Sequence, residues 1–145
     1  MYKFRLQALL EYKKHIEDTL QGELGEIRLQ LAAEERKMEL LSKKEDDIKT
    51  KLKRLQEAPS TANEIIMYHQ YLARLGHDLG RQQKQVIAIE SRCEEKRLEV
   101  VEAMKKRQIL EKLKEKGLQA YSKKLLKKEQ DFLNEVAVTR FNRRR

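Results

Sequence analysis

Three histidines, His15, His69 and His77, and one cysteine, Cys93, are the side chains best suited to bind a metal or act as nucleophiles. His69 and His77 lie eight residues apart with no glutamate pattern between them, which is not the i,i+4 pairing of a helical metal site. A single cysteine cannot close a disulfide within the chain. The five glycines form no phosphate-binding loop. Carboxylates stand beside lysines at helical spacing, as Glu111 and Glu115 do with Lys112 and Lys116, where solvated pairs are the ordinary arrangement. No catalytic, cofactor-binding or metal-binding residue is assigned, and the chain is not expected to be an enzyme.

Charge is more informative. The net charge is +9, yet residues 1–58 hold 13 basic and 12 acidic groups, whereas residues 116–145 hold 9 basic and 3 acidic. The C-terminal end is therefore a cationic arm, suited to an acidic protein surface, anionic lipid or nucleic acid. Against nucleic acid stand the balanced first part of the chain and the absence of aromatic residues alternating with basic ones. No run of about 18 apolar residues exists, so no transmembrane segment is expected. The first residues lack an apolar core and a cleavage site, so a cytoplasmic protein without a signal peptide is expected.

Charged residues make up 39% of the chain, with one proline and no tryptophan, a composition of long helices or coiled coil. Leu20, Leu24, Ile27, Leu31, Met38, Leu41, Ile48, Leu52 and Leu55 recur at alternating spacings of four and three, broken only by Glu34 and Glu45. Leu6 and Leu10 continue the repeat upstream, with Leu9 and Ile16 one position off it. The apolar face is thus broader near the start, as where more than one neighbour is present. A second seam runs Ile65, Tyr68, Leu72, Leu75, Leu79, Gln82, Val86, Ile89, Cys93, Lys96, Val100 and Ala103. Its repeat is expected to slip between Met104 and Leu113, then resume as Leu118, Tyr121, Leu125, Lys128 and Phe132.

Pro59 separates the two patterns. It disfavours helix at Ala58, and Thr61 with Glu64 fits a capping box for the next helix. So short a connection joins antiparallel neighbours. The expected fold is all-α: a long two-helix antiparallel coiled-coil hairpin, one domain over 1–145. Its first helix covers about 3–57, its turn 58–61, its second helix about 62–140 and its basic tail 141–145. Folding about residue 60 sets Leu6 near residue 114, leaving the second helix to overhang by roughly 25 residues, near 40 Å. Leu118, Tyr121, Leu125, Leu126, Phe132, Leu133, Val136 and Val138 are then unpartnered, and exposed apolar surface of that extent marks an interaction site. Fraying, folding back over the N-terminus and self-association are the competing readings. Near the turn, Tyr68 and Leu72 face the seam while Tyr71 flanks it, either as packing or as a partner's anchor.

The opening Tyr2-Lys3-Phe4-Arg5-Leu6-Gln7 with Leu10, then Met67-Tyr68-His69-Gln70-Tyr71-Leu72 through Leu75, then Glu111-Lys112-Leu113-Lys114-Glu115-Lys116, and finally Asn134-Glu135-Val136-Ala137 with Arg140-Phe141, together resemble the flagellar export protein family FliJ. The resemblance covers nearly the whole chain. Asn134-Glu135 stands where family members often carry Asp-Glu, one charge fewer. The resemblance implies a component of the flagellar type III protein export apparatus, similar to the coiled coil of the gamma subunit of rotary ATP synthases. It implies three partners: the hexameric export ATPase, whose assembly and activity the protein promotes, the membrane export gate, and free export chaperones. It implies peripheral association with the inner-membrane apparatus, no cofactor and no nucleic acid. Carried onto this chain, Leu118, Tyr121, Leu125, Phe132, Val136, Arg140 and Phe141 would meet the ATPase ring. Tyr68, Tyr71, Leu72 and Leu75 would face the gate. An injectisome stalk protein of the same architecture and a basic coiled-coil scaffold or nucleic-acid-binding protein are the alternatives.

Overall fold

The structure, a computed structural model, describes residues 1–57 and 62–144. Two helices account for nearly all of them: α1, Gln7–Glu57, and α2, Ala62–Arg143. They pack against each other as an all-α helical hairpin. The turn expected at 58–61, with Pro59 and the Thr61 cap, lies outside the described residues, as does Arg145.

The chain divides into two compact units, each built from both helices. Unit 2 covers Leu20–Val100. Its core is the expected seam, with Leu24, Ile27, Leu52, Leu75, Val86 and Ile89 buried. Of the residues between them at the same repeat, Glu34 is buried and the others are half-buried, Cys93 among them. Two polar couples interrupt the apolar seam. Gln82 Nε2 donates to the Glu34 backbone carbonyl at 2.9 Å and also to the Glu34 carboxylate. Lys96 Nζ bridges the carboxylates of Glu23, at 2.8 Å, and Glu99, at 2.9 Å. The paired residue numbers add to about 120, as an antiparallel fold about residue 60 requires.

The amide of Gln82 holds the Glu34 carboxyl below its ordinary range, helped by Lys37 and opposed by desolvation. A carboxyl whose folded value is lowered stabilises the fold above its unfolded value, and that contribution disappears as pH falls through the folded value. Glu34→Gln is therefore expected to flatten the acid limb of a plot of melting temperature against pH below about 4.5. Parallel acid limbs for the two proteins would show that this couple contributes nothing.

Unit 1 covers Met1–Thr19 and Val101–Arg145. Here the structure departs from the sequence reading in three places. First, the α2 repeat does not slip. From Ala103 it continues through Arg107, Leu110, Lys114, Gly117 and Tyr121, each of them half-buried or buried. Leu113 and Leu118, apolar but off the repeat, are exposed. Arg107 occupies a seam position because Glu17 answers it from α1. The guanidinium grips Glu17 through Nε and reaches Glu111 through Nη1 at 2.8 Å, and Glu17 is only 6% exposed. Hydrogen bonds to both carboxylates, Glu17 first, raise the Arg107 pKa. Lys14 also approaches Glu111 at 3.9 Å.

Second, α1 begins at Gln7 rather than near residue 3. Residues 1–4 have no regular structure and Arg5-Leu6 form a turn, closed by Gln7 N–H to Phe4 O at 3.1 Å. They leave the helical path to lie along α2. The Met1 ammonium donates to Tyr121 Oη at 2.9 Å, and the Tyr2 ring tilts against Tyr121 with centroids 5.7 Å apart. Gly117 makes room for this contact, since a methyl group there would strike the Tyr2 phenol. Third, α2 extends to Arg143, so the basic tail expected at 141–145 is largely the last turn of a helix.

Candidate interaction surfaces

A two-helix packing buries one stripe on each helix and leaves the remaining faces outward. Among the described residues, no three His, Cys, Asp or Glu side chains gather to hold a metal ion. Nor is any helix long and apolar enough to cross a membrane. Two outward surfaces stand out.

The first is the end of α2. Tyr2 and Met1 engage Gly117 and Tyr121, so the unaccompanied stretch starts at Ser122, not near residue 116. From Ser122 to Arg144 every residue is exposed except the half-buried Val136. At about 100° per residue, Leu118, Leu125, Phe132 and Val136 fall within roughly 40° of one another, with Leu126 and Leu133 on the adjoining face. Lys123, Lys124 and Lys127 lie towards the opposite side with Asp131, while Lys128 and Glu135 border the apolar side. The stretch is an amphipathic helix whose apolar side is open and whose polar side is mainly cationic. Of the seven residues singled out from the sequence, those four share a face. Tyr121 is already engaged by the N-terminal segment. Arg140 lies within about 40° of Val136, and Phe141 projects from the other side of the helix. Leu126 and Leu133, unpartnered in the sequence reading as well, widen this surface: Leu125-Leu126 and Phe132-Leu133 double the apolar stripe.

The second surface lies on α2 near its start. Leu75 is 5% exposed and belongs to the core. Tyr68 and Leu72 are half-buried in the seam. Only Tyr71 presents itself outward, with the Arg74 guanidinium 6.0 Å from its ring centroid in a cation–π arrangement. Its exposed apolar neighbours are Ile66 and Met67, which the sequence reading missed. Both are apolar at positions the 3-4 repeat leaves to solvent. Met67, Tyr71 and Arg74, spaced by four and three, form one outward stripe beside the seam that holds Tyr68, Leu72 and Leu75.

No curated protein and no solved structure matches the chain significantly. One family model does, under the description Flagellar FliJ protein, and it matches residues 2–145. With the coiled-coil hairpin, the cationic amphipathic end and a match over essentially its whole length, the chain belongs to the FliJ family of flagellar protein export components.

Proposed function

We propose that this export component works as a stalk: its α2 end enters the ring of the export ATPase and promotes the ring's assembly and activity. The Tyr71 stripe contacts the membrane export gate, and export chaperones are further partners. The observation that carries this reading is the stretch from Ser122 to Arg144, an amphipathic helix exposed along both faces within an otherwise paired fold. A cationic helix of this kind complements an acidic, apolar-lined channel, and charge speeds its capture. The chain supplies no chemistry of its own in this scheme, and ATP hydrolysis belongs to the ring. A helical hairpin with unlike faces biases ring assembly or nucleotide state only by binding some arrangements of the subunits better than others.

Ending the chain after Tyr121 tests this directly, because it spares the contacts of Met1 and Tyr2 with α2. The shortened protein is expected to keep its melting temperature, to lose co-purification with the export ATPase, and to lose stimulation of ATP turnover. Retention of both binding and stimulation would refute the stalk reading.

A further inference from the structure

We propose that one flank of unit 1 is a docking groove for an acidic amphipathic helix of another protein, separate from the α2 end. The ion pair between Lys14 and Glu111 fixes one side of the seam between α1 and α2. By the same 3-4 repeat, Leu9 and Ile16 of α1 and Leu113 of α2 fall immediately on the other side. Tyr12 and Ile109 lie one step further out. Ile16 is half-buried, and the other four are between 40% and 59% exposed. This is the broadened apolar face noted upstream of Leu20. A neighbour is called for, and among the described residues those four side chains stay exposed.

The geometry and the charge together describe that neighbour. Two packed helices about 8–10 Å apart leave a groove along each flank into which a third helix fits. The floor here is aliphatic and aromatic. Its rim is cationic, with Lys106 one heptad before Leu113 and Lys116 one heptad after Ile109. Glu102, the acidic residue on that side of α2, is turned to Lys105 at 3.6 Å. A helix with an apolar stripe bordered by Asp and Glu satisfies both floor and rim. A second copy of this chain would set like charges against each other across the groove, which disfavours self-association there.

The test uses the full chain with p-benzoylphenylalanine in place of Tyr12, and two synthetic helical peptides as probes. Both peptides carry leucine at 3-4 spacing; one has glutamate at the remaining positions, the other lysine. Photo-crosslinking is expected to capture the glutamate peptide at least about tenfold more than the lysine peptide. Leu113→Lys should reduce that capture by a similar factor. Leu126→Lys with Phe132→Lys, on the α2 end, should leave it unchanged. Leu113 is exposed, so its variant is expected to keep its helical circular dichroism; should it not, Lys106→Glu with Lys116→Glu must abolish capture instead. Equal capture of the two peptides would overturn the proposal. So would capture no greater than from the same probe at the exposed Leu29, or capture lost only with the α2-end variant. A dimer seen by analytical ultracentrifugation and dispersed by Leu113→Lys would give the groove to a second copy and overturn it as well.

Discussion

Leu10→Ala is expected to cost about 2–5 kcal/mol of unfolding free energy, the range for truncating a fully buried leucine. Leu10 is 1% exposed, the most completely enclosed side chain described. The other buried apolar residues of unit 1 are Ala103 and Leu110. Ala103 is too small to fill a void, and Glu17 and Arg107 occupy the next seam layer. The loss therefore falls on one large contact with few neighbours to share it. Urea unfolding measures the effect, with Leu29→Ala as the control, since Leu29 is 72% exposed and its truncation should be nearly neutral. A Leu10→Ala protein with an unchanged urea midpoint would mean that the first turns of α1 are not held by this seam. Amide exchange should localise the loss to the start of α1, where the N-terminal segment loses its support as well.

Glu17 and Arg107 give the second large effect, and its sign depends on how many partners are removed. Glu17→Ala leaves the guanidinium half-buried with Glu111 alone, and Arg107→Ala leaves the carboxylate of a buried Glu17 without its main donor. Each single change is expected to lower the melting temperature by several degrees. Glu17→Leu combined with Arg107→Leu replaces the couple by apolar contact across the seam. That double variant should melt at or above the temperature of the unaltered protein, because a buried ion pair recovers its desolvation cost poorly. A double variant that melts well below the unaltered protein would show instead that the couple is net stabilising.

The hairpin was legible because an apolar 3-4 repeat is a local property, and Leu20 to Leu55 and Ile65 to Val100 display it with only Glu34, Glu45, Gln82 and Lys96 as interruptions. The apparent slip after Met104 shows where that reading fails. A search for apolar residues meets Arg107 and Lys114 at seam positions and moves to Leu113 and Leu118, which are off it. The missing information is pairing: Arg107 belongs to the seam only because Glu17 lies opposite. Glu34, read as a gap, is likewise explained by Gln82 on the other helix. The start of α1 was misplaced for a similar reason, since Tyr2 is drawn away by Gly117 and Tyr121, more than a hundred residues distant. Among the interaction residues, exposure of the α2 end followed from simple length. The burial of Leu75 followed from the repeat itself, which already placed it in the seam. The face occupied by Phe141 required counting turns along α2.

The polar couples also have a bearing on how two such long helices find each other. Sliding α2 along α1 by seven residues preserves almost every leucine contact, so grease alone would accept several misalignments. It would, however, carry Arg107 from Glu17 to Leu10 or Leu24, and Gln82 from Glu34 to Ile27 or Leu41. Each shifted arrangement strands a guanidinium or an amide in hydrocarbon, at a penalty that makes it short-lived. Glu17–Arg107 and Glu34–Gln82 thus act as keyed teeth in a zipper, one in each unit, rejecting frameshifts that the apolar stripe by itself could not detect.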